Sequence, residues 1–311
     1  MSDYNDAAIV GVLPWLKFIW KGHITNWIWR PREDRRFVRL NHYGAMKIKH
    51  LEKYVPFVKT LYAEDTISKE YDPEKEKIYM LWFQDVNNAP EIVKRCIQSV
   101  KAKYGDKVIV LNEKSMYDYM QLPDYIIDKW KNKKIVPANF SDIVRIALLA
   151  ENGGYWFDAT DFLVSDIPSY IQESDFFMFI TSPRIYQHMF VQSCFIRAKK
   201  GDPLMKMWKE LVFEYWRREQ RSADYFLVHM LFKVLVTHNE EAKKLFEKMP
   251  KVFQDGIHEL WYTYGNMPYS EIEFKKMCDA EFFQKCSYRY LKGGVNELIP
   301  GTIARKLIMN E

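Results

Sequence analysis

Cysteine is scarce in this 311-residue chain, and its spacing fits no common cysteine motif. The chain has no CxxC pair and no histidine at zinc-finger distance from its four cysteines, which are Cys96, Cys194, Cys278 and Cys286. This spacing argues against both a zinc site and a disulfide framework. We therefore expect reduced, structural cysteines in a cytosolic protein.

The chain also lacks long apolar runs, internal repeats and low-complexity linkers. The apolar run of residues 7–16 is about half the length that a membrane span needs, and Pro14 interrupts it. No secretory signal is expected either. Four tryptophans nevertheless crowd residues 15–29, and four arginines follow within residues 30–36. This pattern fits a segment lying among lipid headgroups, and equally a helical arm packed on the domain.

Charge of one sign is not in large excess, because the net charge is only +5. Such a balance is compatible with nucleic acid, anionic lipid or phosphorylated substrates and cannot choose among them. The basic residues are interspersed with acidic ones and match no nucleic-acid-binding module, so we expect no nucleic-acid partner. The aromatic content of 16% suits sugar faces, a membrane interface or a core.

Apolar periodicity predicts an α/β protein with a mostly parallel, twisted sheet flanked by helices, and with helical N-terminal and C-terminal additions. We expect a helical extension over residues 1–76 that can associate with a membrane, an α/β catalytic core over 77–258 and an irregular C-terminal segment over 259–311 that closes over the site of this core. The predicted strands are 77–83, 107–111, 155–158, 176–181 and 189–198, the last two forming a hairpin. The predicted helices are 90–104, two short pieces within 115–131, then 140–151, 203–218 and 223–236.

The most informative stretch is residues 139–161, NFSDIVRIALLAENGGYWFDATD. It reads as a helix, a double-glycine stop, an aromatic strand and then Asp158 and Asp161 where the strand ends. Ligands bind at this edge in open α/β sheets, and carboxylates there commonly hold a divalent cation against phosphates. Ser141, Asp142 and Arg145 lie on the preceding helix and can face the same site.

Each of these residues also has an ordinary structural interpretation. Asp142 could simply favour the helix N-terminus, Arg145 could be a solvated helix residue, and an aspartate after a strand is often a turn former. Their joint order and spacing favour the functional interpretation.

The motifs of this chain resemble those of bacterial capsular polysaccharide synthesis glycosyltransferases, which are similar to glycosyltransferase family 32. The shared motifs are WFQ at 82–84, Ala-Pro-Glu at 89–91, LPDYI at 122–126, SDIVR at 141–145, GGYWFDAT at 153–160 and DYFLVHMLF at 224–232. The resemblance implies a GT-A fold, a UDP-sugar donor, a divalent Mn²⁺ or Mg²⁺ ion, and retention of configuration at the transferred sugar.

The resemblance also assigns roles on the nucleotide side. It implies that Trp82 stacks on the uracil ring, and that Ser141 and Asp142 lie at the donor, with Asp142 binding sugar hydroxyls. Arg145 resembles the basic residue at the sugar or diphosphate, and Asp224 an acid near the reactive face of the sugar.

For the metal, Asp158 resembles the first aspartate of a DxD motif, but Thr160 stands where the second would be. Asp161 is then an alternative ligand, although neighbours in a strand alternate faces. In related retaining enzymes a C-terminal histidine completes the metal shell; this chain has Gln284 there, followed by Lys285, which is a candidate phosphate-binding cation.

The resemblance thus implies a retaining, metal-dependent hexosyltransferase. The expected donor is UDP-galactose or UDP-glucose, and the expected acceptor is a saccharide on a lipid diphosphate carrier at the inner face of the plasma membrane. The alternative is a catalytically silent sugar- or membrane-binding subunit with the same fold, suggested by Thr160.

Overall fold

The computed structural model of the protein describes residues 43–59, 72, 75–181, 189–287 and 298–309. Within the predicted N-terminal extension, residues 43–51 are α-helical and Glu52–Phe57 form a 3-10 helix. Leu51, Tyr54 and Val55 of this extension are buried in the core. The Trp- and Arg-rich residues 15–36 lie outside the described ranges. No helix in the described part is both long and apolar enough to cross a membrane.

In the described part of the chain, seven strands form one five-stranded sheet and one two-stranded ribbon. The strands are β1 (Ile78–Leu81), β2 (Val108–Leu111), β3 (Gly154–Phe157), β4 (Asp161–Leu163), β5 (Phe176–Ile180), β6 (Val191–Ala198) and β7 (Phe283–Lys285). The sheet order is β2-β1-β3-β6-β5; β1 runs parallel to β2 and β3, and β6 runs antiparallel to β3 and β5. The predicted largely parallel sheet and the β5–β6 hairpin are thereby confirmed.

Besides the helical residues 43–51, nine α-helices lie in the described ranges, and together they cover both faces of the sheet. They are α1 (Glu91–Tyr104), α2 (Asp124–Lys131), α3 (Pro137–Asn152), α4 (Ser169–Gln172), α5 (Pro203–Arg218), α6 (Leu227–His238), α7 (Glu240–Lys248), α8 (Glu271–Ala280) and α9 (Ile303–Met309). The two pieces predicted around Pro123 are a 3-10 turn at Ser115–Asp118 and α2.

Alternation along the strands divides the core into two layers. Tyr79 and Trp156 face the layer that contains α3, α5 and α6. Their neighbours Met80 and Phe157 face the other layer, which contains α1, α9 and β7. Both layers are rich in large apolar side chains, as expected for a sheet covered on both faces.

The two glycines between α3 and β3 set the close packing of β3 against β1. Gly153 and Gly154 have φ values of 68° and 96°, which other residues rarely adopt. A Cβ atom on Gly154 would lie 2.4 Å from the carbonyl oxygen of Lys77, beside the start of β1. The double glycine therefore ends the helix and lets the aromatic strand lie directly against its neighbour.

The prediction of an irregular segment after residue 259 was wrong for the described residues. This region contains a π-helical turn at Leu260–Tyr264, the helices α8 and α9, and strand β7. Helix α8 begins at an N-cap in which the Ser270 hydroxyl accepts a hydrogen bond from the backbone N–H of Glu273. Phe282 and Phe283 are buried in the same layer as Phe157. The tail is therefore part of the core.

Candidate active site at the carboxyl edge of the sheet

Asp158 lies at the carboxyl end of β3, where the chain leaves the central sheet. Its backbone N–H still donates to the carbonyl of Cys194 on β6 at 2.9 Å. A tight turn follows, in which the N–H of Asp161 donates to the carbonyl of Asp158 at 2.9 Å. The Asp161 carboxylate in turn accepts a hydrogen bond from the backbone N–H of Asp158 at 3.1 Å. The turn thus fixes both carboxylates at one edge of the sheet.

Strand β7 brings Lys285 to this turn. In the β4–β7 ribbon Asp161 lies directly opposite Lys285, and the N–H of Cys286 donates to the carbonyl of Thr160 at 2.7 Å. The Lys285 ammonium donates to Asp158 Oδ2 at 2.7 Å, to Thr160 Oγ1 at 2.9 Å and to Asp161 Oδ1 at 2.9 Å. All three hydrogens of the ammonium therefore have an acceptor.

Arg145 reaches the other oxygen of Asp158 from helix α3. Its Nη1 lies 3.2 Å from Asp158 Oδ1 and donates to the carbonyl of Ser193 at 2.6 Å. Its Nη2 lies 3.3 Å from Asp142 Oδ1 and 3.3 Å from Ser141 Oγ. The guanidinium also lies over the Trp156 ring, 5.1 Å from the ring centroid. Arg145 therefore joins the start of α3 to the end of β3.

Sequence reasoning missed Trp156 as a polar partner in this cluster. The Trp156 indole N–H donates to Asp158 Oδ1 at 2.9 Å. Residues two apart in a strand share a face, so the YWFD spacing could have indicated this contact. Asp158 is thus held by two cations and one indole.

A cavity of about 680 Å³ opens at the carboxyl ends of β1 and β2, and none of the residues of this cluster lines it. Its lining includes Trp82 and Phe83, which follow β1, and Asn112 and Glu113, which follow β2. Since β1 is parallel to both β2 and β3, all three strands end at the same edge. The volume falls in the range of small-molecule sites in proteins.

The family of the chain follows from a sequence comparison. The profile of the family described as "Capsular polysaccharide synthesis protein" matches residues 35–298, which include every strand and residue of the cluster. The chain belongs to this family. No curated protein matches this capsule-synthesis protein significantly.

One similar solved structure is titled "PaToxG Glycosyltransferase". The similarity covers 69% of the capsule-synthesis protein and 83% of the PaToxG chain, with 15% sequence identity and a TM-score of 0.37. A likeness this distant assigns neither a fold family nor an activity, so the site is interpreted from its own geometry.

In the capsule-synthesis protein most of the predicted site residues come together. Ser141, Asp142, Arg145, Asp158, Thr160, Asp161 and Lys285 form one network of direct contacts. Trp82 is outside this network and lines the cavity at the ends of β1 and β2. Gln284, at the position compared with a metal-binding histidine, is fully buried: it accepts from the N–H of Leu260 and donates to the carbonyl of Gly256, both at 2.9 Å. Gln284 therefore anchors the tail.

Asp224 does not share a direct contact with this network. It forms an ion pair of 2.8 Å with Lys47, and its Oδ1 accepts from the N–H of Phe226 at 2.9 Å. The predicted helix over 223–236 begins only at Leu227, because Asp224 makes the turn that precedes it. The next residue, Tyr225, accepts a hydrogen bond from the side chain of Asn139 at 3.1 Å, one turn before Asp142. Asp224 is thus connected to the site through the start of α3.

The three residues predicted as metal ligands do come together, but their arrangement does not fit a divalent cation. Asp158, Thr160 and Asp161 converge on one point, and the Lys285 ammonium is at that point. Among the described residues, no group of three or more acidic, histidine or cysteine side chains is arranged to hold a metal.

The acids of the site differ in pKa because their partners differ. Burial raises the pKa of Asp142 to about 7, and the neighbouring Asp158 adds to this effect while Arg145 opposes it. Burial likewise raises the pKa of Asp161 to about 7, against the attraction of Lys285. Burial alone would raise the pKa of Asp158, but Arg145 and Lys285 outweigh it and hold the pKa below its ordinary value. Of these three carboxyl groups, Asp158 is therefore the one that is charged at neutral pH.

Asp142 should make folding stability depend on pH. An acid whose pKa is higher in the folded protein loses its stabilising effect as the pH rises from the unfolded value, 3.8, towards about 7. We expect the free energy of unfolding of Asp142→Asn, relative to wild type, to increase between pH 5 and 7 by up to about 1.4 kcal/mol per pH unit. Urea unfolding at several pH values measures this difference. Parallel curves for the two proteins would contradict the prediction, and Asp166→Asn, an exposed acid, is the control.

Proposed function

We propose that this protein is a glycosyltransferase of GT-A type that moves a hexose from a UDP-sugar, with retention of configuration, onto a growing capsular repeat unit. The observation that carries the proposal is that two cations, Arg145 and Lys285, both contact Asp158 at the carboxyl edge of the sheet. Strands β1, β2 and β3 end at this edge, and a cavity opens at the ends of β1 and β2. Ligands of open α/β sheets bind at this edge. Membership of the capsular polysaccharide synthesis family supports the same conclusion.

The chemistry requires positive charge at a fixed position. The bond between the anomeric carbon and the diphosphate oxygen breaks, and its electron pair stays with the diphosphate. The acceptor hydroxyl forms the new bond to the anomeric carbon, and the departing diphosphate can accept its proton. Charge therefore grows on the diphosphate in the transition state, and preorganised cations stabilise it there. Arg145 is buried and Lys285 is held on three sides, so neither has to reorganise during the reaction.

Each part of the donor then has a matching region. The cavity at the ends of β1 and β2 takes the nucleoside, with Trp82 against the base. The diphosphate lies towards Arg145 and Lys285. Asp142, beside Arg145 and at the start of α3, is placed to accept from sugar hydroxyls. The uridine nucleotide and the choice of galactose or glucose belong to the proposal.

The proposed acceptor is a saccharide on a lipid diphosphate carrier, met at the inner face of the plasma membrane. Residues 15–36 carry the sequence argument for that location. Co-sedimentation of the full chain with vesicles containing anionic lipid tests it, and loss of binding when the four tryptophans are replaced by alanine would identify the segment responsible.

Trp82→Ala should weaken donor binding while leaving the fold intact. Stacking of a base on an aromatic ring contributes about 1–3 kcal/mol, which corresponds to a five- to hundredfold loss of affinity. Ligand-observed NMR with a panel of nucleotide-sugars measures binding to wild type and variant. We expect selective binding of one UDP-sugar by wild type and a strong loss in Trp82→Ala.

The matched control is Tyr170→Ala, because Tyr170 is an exposed aromatic residue on α4 and does not line the cavity. Folded wild-type protein that binds no nucleotide-sugar would overturn the proposed function. Donor binding without any turnover on a verified acceptor would instead favour the silent-subunit alternative.

A further inference from the structure

Resting on the proposed function, we propose that the ammonium of Lys285 takes the place of the divalent cation, so that this site binds and activates its diphosphate ligand without a metal ion.

The position of the ammonium carries this inference. A Mg²⁺ or Mn²⁺ ion would need oxygen ligands from the residues that follow β3. The available oxygens are Asp158 Oδ2, Thr160 Oγ1 and Asp161 Oδ1, and each accepts a hydrogen bond of 2.7–2.9 Å from Lys285. The Lys285 ammonium therefore occupies the same three oxygen atoms that would be the ligands of a metal ion. Thr160, which departs from the DxD pattern, supplies a neutral acceptor that suits an ammonium.

Two cations already lie at this site. Lys285 contacts one oxygen of Asp158, and Arg145 lies 3.2 Å from the other. The two side chains together carry the formal charge of one divalent cation. Adding an ion would require Lys285 to leave three acceptors, including Asp161, whose side chain is 0% exposed. The displaced ammonium, on a side chain that is only 20% exposed, would then be a largely buried charge without these partners, which is destabilising.

The backbone fixes the ammonium at this point. Lys285 lies in β7, opposite Asp161 in β4. The bond from Cys286 to Thr160 on one side, and the bond of 2.9 Å from the N–H of Val164 to the carbonyl of Phe282 on the other, hold the two strands together. The Lys285 and Asp158 side chains are 20% and 24% exposed, so neither side chain is fully sealed from solvent. The pairing of β4 with β7 therefore fixes the position of the Lys285 ammonium before any ligand binds.

The test measures metal uptake and ligand binding separately. Mn²⁺ uptake by the full chain is followed by the electron paramagnetic resonance signal of free Mn²⁺, with and without UDP, after correction for Mn²⁺ held by UDP itself. Calorimetry measures the affinity for UDP in EDTA and in Mn²⁺. We expect wild type to take up no Mn²⁺ at this site, and its affinity for UDP to agree within about twofold between the two conditions.

Lys285→Ala should free the three oxygens, take up one Mn²⁺ and bind UDP more weakly in EDTA than in Mn²⁺. Lys276→Ala, which removes a surface lysine paired with Glu273, is the matched control and should behave as wild type. If Lys285→Ala does not fold, as judged by circular dichroism, the wild-type measurements alone decide.

Two results would overturn the inference: uptake of one Mn²⁺ by wild type that Asp158→Asn abolishes, or an affinity of wild type for UDP that falls more than about tenfold in EDTA. If UDP fails to bind under either condition, the uridine donor of the proposed function is wrong. The Mn²⁺ titration without UDP then still decides whether Lys285 replaces the ion.

Discussion

Replacing Asp158 with asparagine is expected to lower sugar transfer by about 10²- to 10³-fold, the range found when one preorganised electrostatic group is removed from an active site. Asparagine is nearly the same size, so the change removes the charge and replaces one acceptor oxygen by an NH2 donor. Asp158 forms ion pairs with Arg145 and Lys285 and accepts a hydrogen bond from the Trp156 indole. Neutralising Asp158 therefore weakens both ion pairs, and with them the positioning of the two cations. The measurement is turnover of the donor identified by binding, with the acceptor held constant.

Asp166→Asn provides the comparison for this variant. Asp166 is an exposed acid on the same segment, and its partner is the surface residue Lys103. Its loss should leave turnover within about twofold of wild type, because exposed ion pairs contribute little. Near-normal turnover by Asp158→Asn would show that the cluster is structural and that catalysis lies elsewhere.

Replacing Arg145 with alanine is expected to lower the free energy of unfolding by about 3–5 kcal/mol at pH 8, because it leaves buried carboxylates without their partner. The side chain is 8% exposed, and it also donates to the Ser193 carbonyl and lies over Trp156. At pH 8 Asp142, with a pKa of about 7, is mostly charged and depends on this guanidinium. Denaturant unfolding monitored by tryptophan fluorescence measures the loss.

Arg145→Lys separates charge from shape. Lysine keeps the positive charge but cannot reach Asp158, Asp142 and Ser193 at once, because it lacks the planar fork of arginine. We expect it to recover part of the stability and little of the donor binding. A loss below about 1 kcal/mol in Arg145→Ala would mean that the ion pairs are solvated.

The sequence could predict the centre of the site because its signals are local. The double glycine, the aromatic strand and the acids that follow it occupy nine consecutive residues, 153–161, and each step has a strong conformational preference. Helix α3 is also readable from its apolar spacing and from the glycines at its end. The contact of Arg145 with Asp142 follows from helical geometry alone.

The contacts of Lys285 could not be read in this way. Strands β4 and β7 have three residues each, too few for a periodic signal, and their pairing joins positions 161 and 285. Nothing local distinguishes a lysine that meets three oxygens from one that meets solvent. The ion pair of Asp224 with Lys47 spans a similar separation and was missed for the same reason.

The β4–β7 ribbon also has a consequence for how the protein matures. Domains form as the chain leaves the ribosome, and contacts between distant positions form late. The turn that bears Asp158 can fold once β6 has been made, but it meets its ammonium only after residue 285 has emerged. Until then the nascent chain has a carboxylate pair without its main cation. A chain truncated before β7 is therefore expected to keep much of the central sheet but to lack a complete active site.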